Sequence, residues 1–294
     1  APVSPRPVGE GQGISIPAPV SPRPVGEGQG ISIPAPVSPR PVGEGQGISI
    51  PAPVSPLFAG EGLGVRSGER PLSKMRQTIA RRLLESKTTV PHYYLTMEIF
   101  MGEAMKLREQ LNAMAANEAE KLSVNDLLVV AAARTLRNFP NVNAYFKGDR
   151  IAFNEAINIG VAVTVDDGLF TPVLRNADQK SLKQIAVETK ELAARARANK
   201  MKPDDLGPGT FTISNLGMFG IDEFAAIINP PESCVLAVGV VKKVPVVVND
   251  SITVAQVMKI TLSADHRIVD GAWGAQFLQA LKRLLENPVN LLLS

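Results

Sequence analysis

The run Val257-Met-Lys-Ile-Thr-Leu-Ser263 passes straight into Ala264-Asp265-His266-Arg267-Ile268-Val269-Asp270-Gly271, and its reading decides what kind of fold this chain builds. Apolar residues alternate up to Ser263, which is the period of a half-buried strand. From about Gly271 to Glu286 the period becomes helical, with Trp273, Phe277, Leu281 and Leu284 on one face and Asn287-Pro288 as the stop. The join sets a histidine at a strand end, an aspartate four residues on, and a glycine that lets backbone approach closely. The chain has only two histidines, and imidazole takes and returns a proton near neutral pH. His266 is therefore the candidate base. The plainer alternative is a core histidine with satisfied hydrogen bonds.

Elements on the N-terminal side can be read in the same way. Met75, Ile79 and Leu83 recur at helical spacing, and Pro91 ends that segment. Leu95, Met97, Ile99 and Met101 alternate with Thr96, Glu98 and Phe100, predicting a strand. Leu107, Leu111 and Met114 mark a second helix, and Ser123 caps a third, Asn125 to Asn138, apolar nearly all round and so expected in the core. Ile157 to Val165 reads as a single strand, Asp166-Asp167-Gly168 as a turn, and Leu169 to Leu174 as extended chain. Ser181-Leu-Lys-Gln184 is a capping box that opens a helix to about Asn199. Gly209–Ser214, Cys234–Val241 and Ile252–Ser263 are further strands. Strands and helices mix without regular βαβ alternation, which predicts an α+β or mixed-sheet α/β layer fold rather than a doubly wound one.

The N-terminal quarter is different. Residues 1–17, APVSPRPVGEGQGISIP, recur unchanged at 18–34 and 35–51, and a degraded fourth copy starts at Ala52. Each copy holds four prolines and three glycines, with Ile14 and Ile16 as the largest apolar residues of the first. Such a composition cannot offset the entropy of ordering, so residues 1–70 are expected to be a linker and 71–294 the folded domain. At about 3.1 Å per residue the three exact repeats of this arm would reach on the order of 150 Å at most. A proline-rich ligand for SH3-type domains is the competing reading, disfavoured because no sustained PxxP frame is kept.

Charge and composition exclude several classes. A net charge of +3 over 294 residues, with no basic cluster interleaved with aromatics, argues against nucleic acid. No apolar stretch is long enough to span a membrane. Two histidines and one cysteine, far apart, form no metal-ligand cluster. Cys234 lies in the apolar run Cys234-Val-Leu-Ala-Val-Gly239 and reads as a buried small hydrophobe. The second notable segment is Gly209-Thr-Phe-Thr-Ile-Ser214-Asn-Leu-Gly217, a strand running into a glycine-rich turn. A hydroxyl at such a strand end can donate to a ligand oxygen; a plain turn serine is the alternative. Ser214, His266 and Asp270 could also be read as a hydrolytic triad. Ser214, however, lacks the Gly-x-Ser-x-Gly elbow that exposes a nucleophile.

From about Pro71 to Ser294 the chain resembles the catalytic domain of dihydrolipoamide acyltransferases, the E2 cores of 2-oxo acid dehydrogenase complexes. The matching segments are Met75-Arg-Gln-Thr-Ile-Ala-Arg-Arg-Leu83, Asp167-Gly-Leu-Phe-Thr-Pro-Val173, Gly209 to Gly217, Ile228-Asn-Pro-Pro231 and Asp265 to Gly271, in family order. Val90-Pro-His-Tyr-Tyr-Leu95 is most similar to the pyruvate-type, acetyl-transferring members. The resemblance implies a chloramphenicol-acetyltransferase-like fold, a mixed sheet flanked by helices. It implies that His266 deprotonates the attacking thiol and that Ser214 hydrogen-bonds the oxyanion. Asp270 would organise the site through an ion pair with an arginine, Arg76, Arg81 or Arg82. Gly168, Leu169, Phe170, Thr171 and Pro172, with Asn215, would line the substrate channel and contact coenzyme A.

That chemistry is coherent: a thiol of pKa near 8.5 is mostly protonated at neutral pH and needs a base, and charge building on the thioester oxygen needs a donor. The implied reaction is acyl-S-dihydrolipoamide + CoA → acyl-CoA + dihydrolipoamide, with acetyl as the expected acyl group and without a metal. The family also implies homotrimers assembling into 24- or 60-subunit cores and E1 and E3 partners reached through upstream domains. It places such proteins in the bacterial cytoplasm or the mitochondrial matrix. No lipoyl-carrying Asp-Lys-Ala segment occurs in the chain, so the lipoyl group is expected on another domain. A non-catalytic scaffold of the same type of complex is the alternative, as is an acyltransferase of this fold with another acceptor.

Overall fold

The computed structural model describes residues 71–165 and 168–292. The expected linker at 1–70, residues 166–167 of the expected turn, and residues 293–294 lie outside the described residues. Among the described residues there are five helices and eleven strands, leaving aside short 3₁₀ turns: α1 Lys74–Thr89, β1 His92–Phe100, α2 Gly102–Ala113, α3 Val124–Leu136, β2 Ala144–Phe146, β3 Ile151–Phe153, β4 Ile159–Val161, β5 Val163–Val165, β6 Gly168–Phe170, β7 Val173–Leu174, α4 Leu182–Arg197, β8 Phe211–Asn215, β9 Cys234–Val238, β10 Lys242–Val248, β11 Ser251–Asp265 and α5 Gly271–Glu286.

The main sheet has the order β1-β11-β9-β8-β4-β7, with β10 pairing the first half of β11. β4, β8 and β9 run parallel, whereas β1 and β9 each run antiparallel to β11. The sheet is mixed and the layer architecture is the expected one. Two hairpins, β2–β3 and β5–β6, stand apart from it.

Several elements form for reasons visible in the residues. Ser123 and Asp126 cap α3 reciprocally, as Ser181 and Gln184 cap α4, which is worth about 1 kcal/mol per cap. α3 is buried nearly all round because α2, α4 and α5 all pack on it. The face of α5 is pinned by Phe277, fully buried, whose ring lies 5.7 Å from both Phe139 and Phe211. Burying such a ring stabilises the packing of α5 on β8 by about 2–3 kcal/mol.

Two sequence expectations need correction. The run Ile157 to Val165 is not one strand. β4 pairs with β8 and β7, and the chain then leaves the sheet at Ala162 so that β5 pairs with β6. Alternation continues through the break, so periodicity alone could not show it. β10 was not anticipated. Its Lys242-Lys-Val-Pro-Val-Val-Val248 carries Pro245 mid-strand, which a strand tolerates at an edge because no ladder hydrogen bond is then lost. The turn Asn249-Asp250 takes positive φ at both residues, 51° and 60°, the backbone of a tight hairpin.

β8 and β9 are parallel neighbours, so the chain between them must travel back along the sheet. It does so without an α-helix, over residues 216–233, with only a 3₁₀ turn at Gly217–Phe219. The start of this crossover is locked onto the end of β9: Ile221 O accepts from Val240 N at 2.8 Å, and a Cβ on Gly239 would sit 2.0 Å from Asp222 O. Gly239→Ala should therefore lower stability by about 2 kcal/mol, in the range of overpacking changes. An unchanged denaturation midpoint would contradict this close approach.

Candidate active site

His266 follows the last residue of β11, and its position is set by β1. Register places His92 opposite Asp265, and the His266 N–H donates to Pro91 O at 3.0 Å. The imidazole is exposed and its ring lies 4.5 Å from that of Tyr93, tilted by 48°. The Tyr93 hydroxyl donates to Asp270 O at 2.6 Å, tying the histidine turn to the start of α5. Burial, and less strongly the charges of Cys234 and Asp270, pushes the Tyr93 phenol up to about 12. It thus stays a hydrogen-bond donor. Gly274 leaves room for it, since a Cβ there would lie 2.6 Å from the hydroxyl. Sequence reading passed over Tyr93; its only signal was an aromatic two residues after Pro91.

Asp270 does not form the expected ion pair. Its carboxylate accepts from Trp273 N at 3.0 Å and caps α5, the usual work of an aspartate before a helix. Among the described residues no arginine pairs with it, and Arg76, Arg81 and Arg82 are exposed on α1. The arginine–aspartate pair at this turn is Arg267 with Asp265, two-pronged at 2.9 and 2.7 Å. Arg267 also stacks over Phe146 at 4.1 Å. That pair rigidifies the turn bearing His266.

Ser214 is half-buried near the C-terminal end of β8. Asn215, expected to contact ligand, uses its Oδ1 to accept from Gly217 N at 2.8 Å and so closes the turn. The segment Gly168 to Pro172 comes to this same end: Val161 N donates to Pro172 O at 2.9 Å, while Ala162 N donates to Ile213 O at 3.0 Å. Gly168 lies against Met75 and Ile79 of α1. Ser214, Asn215 and the Gly168–Pro172 segment are thus brought together.

His266 is not part of that cluster. Ser214 is in register with Ala237, and Ala237 with Thr261, five residues before His266. At about 3.4 Å per residue along β11 and about 4.8 Å per strand across, base and hydroxyl of one chain are roughly 20 Å apart. A hydrolytic triad needs contact at hydrogen-bond distance. The triad reading is therefore excluded within one chain. Near Ser214 the crossover exposes Met218, Phe219 and Ile221, more apolar surface than a short turn needs.

Cys234 is fully buried, and burial pushes its thiol up to about 12, so it presents no thiolate for chemistry. Nearby, Glu232 is a buried carboxyl whose Oε1 accepts from Thr212 Oγ1 at 2.9 Å while Oε2 has no partner. Burial pushes it from an ordinary value of 4.5 up to about 8, although hydrogen bonds from Thr212 and Asn229 pull the other way. A folded-state value above the unfolded one means that the fold binds the extra proton. Stability is then full below pH 4.5 and declines as pH rises toward about 8. Glu232→Gln should flatten that decline and raise the denaturant midpoint most near pH 8. Parallel pH profiles for the two proteins would count against a neutral buried Glu232.

The geometry can be set beside known proteins. The family described as 2-oxoacid dehydrogenases acyltransferase (catalytic domain) matches residues 66–293. The dihydrolipoyllysine-residue acetyltransferase component of the pyruvate dehydrogenase complex of Rickettsia bellii is 48% identical over 224 residues, 76% of this chain and 54% of that protein. The mitochondrial counterpart of Schizosaccharomyces pombe is 50% identical over 228 residues, 76% of this chain and 47% of that protein. The chain thus spans about half the length of the curated relatives it matches. The cubic core of a pyruvate dehydrogenase multienzyme complex superposes with a TM-score of 0.74 at 35% identity, over 76% of this chain and 93% of the other. The dihydrolipoamide acetyltransferase of Azotobacter vinelandii gives 0.74 at 34%, with the same coverage. That structure was studied for the role of a serine, a histidine and an asparagine in its catalytic mechanism.

Proposed function

The chain belongs to the catalytic-domain family of 2-oxoacid dehydrogenase acyltransferases, and from that premise we propose that it transfers an acetyl group from S-acetyl-dihydrolipoamide to CoA at a site built from two chains. The serine and histidine named for the Azotobacter protein are 52 residues apart, with the asparagine four residues further on. Ser214, His266 and Asp270 have the same spacing. The observation that carries the two-chain reading is the separation of Ser214 from His266 at opposite ends of one sheet.

In this reading His266 of one chain takes the proton from the CoA thiol, and the resulting thiolate attacks the thioester carbonyl. Ser214 of a neighbour donates to the oxygen on which charge builds, and the dihydrolipoamide thiolate leaves and recovers the proton from the imidazolium. No bond to the enzyme forms. Tyr93 and the Asp265–Arg267 pair hold the base, and Asp270 fixes the helix behind it. This chain has Asp270 where the Azotobacter protein's described triple has an asparagine, and either side chain can accept from a helix N-terminus. CoA and the dihydrolipoyl arm are substrates. The segment Gly168–Pro172 and the turn after Ser214 would form one wall of their channel.

The family premise extends to assembly: we propose trimers that build a larger core, with a lipoyl group and E1 and E3 partners supplied by other domains. Relatives come from bacteria and from a mitochondrion, so the bacterial cytoplasm or the mitochondrial matrix is the compartment proposed. Among the described residues no helix is long and apolar enough to cross a membrane. The direct test incubates the chain with acetyl-dihydrolipoamide and CoA and follows acetyl-CoA. CoA-dependent transfer is expected. A well-assembled particle with no transfer would instead favour the scaffold reading.

A further inference from the structure

The crossover from Ser214 to β9 is fastened at its far end by a side chain the reaction does not use. Ile228 is fully buried, and both its backbone groups are bound by side chains from elsewhere. Its carbonyl accepts from Ser86 Oγ, on the last turn of α1, at 2.6 Å. Its N–H donates to His92 Nε2 at 3.0 Å. The other ring nitrogen of His92, Nδ1, lies 2.8 Å from Val90 O. A carbonyl can only accept and an N–H can only donate, so the two contacts fix the ring as the neutral tautomer protonated on Nδ1. An imidazolium has no lone pair left to accept the Ile228 N–H.

We infer that His92 is a positioning residue, a proton-sensitive clasp that holds the far part of the Ser214-to-β9 crossover against β1 beside His266, the base of the proposed active site. The inference rests on the acyltransfer reading for its effect on turnover, but not for the clasp itself. His92 touches both the histidine turn and the crossover. It pairs across the sheet with Asp265, next to His266, and through Ile228 it holds the segment that begins at Ser214. Loosening the clasp would free a crossover whose residues from 218 to 223 are already exposed and would slacken the start of β1, where Pro91 O holds the backbone of His266.

The groups around His92 do not supply the same switch. Asp265, opposite it, is held by Arg267. Tyr94, with its ring 6.2 Å away, is engaged by Lys87 of α1. Glu232, four residues beyond Ile228, loses its proton as pH rises, so its titration would loosen the segment in alkali, opposite to the effect of His92. Serine 86 does not titrate.

The test measures hydrogen exchange of the peptide containing Ile228 in the full chain at about pH 8 and about pH 5.5, corrected for intrinsic rates. Wild type is compared with His92→Gln, which keeps an acceptor that cannot titrate, and with His92→Leu, which has none. Wild type should lose about tenfold protection on acidification, the effect of one lost hydrogen bond. His92→Gln should be flat with pH, and His92→Leu unprotected at both values. At about pH 8, kcat should fall about tenfold in His92→Leu with KM for CoA little changed, and His92→Gln should restore it to within about twofold. Equal pH dependence of exchange in wild type and His92→Gln would overturn the clasp, as would full protection in His92→Leu. Wild-type turnover in an unprotected His92→Leu would overturn the positioning role. A wild type with no transfer activity would fail the acyltransfer reading alone, because the exchange pattern is read independently.

Discussion

Replacing His266 by alanine is expected to lower kcat for acetyl transfer by about 10² to 10⁴-fold, the usual worth of a positioned acid–base group. Stability should change little, because His266 is exposed, its ring touches only the Tyr93 ring among the aromatics, and its backbone N–H, which the substitution keeps, binds Pro91 O. Residual activity should recover as pH rises, since an alkaline medium supplies the thiolate that the base otherwise generates. Steady-state kinetics between about pH 6 and about pH 9 would show this. A variant with near-normal turnover at neutral pH would remove His266 from the chemistry.

The second large effect appears when two inactive proteins are mixed. Ser214→Ala should cost on the order of 10² in kcat with little change in KM, because a bond to a developing oxyanion strengthens mainly in the transition state. Alone, that result would not say whose serine serves which histidine. The roughly 20 Å between them within one chain does. When His266→Ala and Ser214→Ala chains are unfolded together and reassembled, some sites acquire an intact histidine from one chain and an intact serine from the other. For random trimers, activity should rise to about one quarter of wild type, far above either parent, because each interface takes each residue independently from two equal pools. Activity remaining at parental level, with mixing demonstrated by mass, would place both groups in one chain and demand a large rearrangement of the sheet.

The sequence was most legible where one physical signal dominated. Helix α5 matches its expected bounds, Gly271 to Glu286, because an aspartate cap, a wide apolar face and Asn-Pro all agree. β1 begins three residues earlier than its alternation suggested. His92 and Tyr93 are half-buried by neighbours from the crossover and α5, which local pattern cannot foresee. Ser214 and His266 could be singled out as chemical groups, but not their separation. That depends on strand order and on β8 and β9 being parallel, which no short stretch encodes. The ion pair implied for Asp270 is not made among the described residues: its carboxylate caps α5 through Trp273 N, and which arginine comes near it depends on packing that no short stretch encodes.

The strand order has one more consequence, and it concerns synthesis. β11, the last strand made, lies between β1, the first, and β9. On the ribosome, β1 therefore emerges without the partner it will bond along its whole length, from His92↔Asp265 to Phe100↔Val257. At about 5–20 residues per second it waits on the order of ten seconds for that partner to be translated. Throughout that interval the nascent chain exposes an unpaired edge rich in apolar side chains, a surface that invites chaperones or another nascent copy. A transcript truncated before the codon for Val257 would yield no smaller working domain, but a product with β1 permanently unmatched.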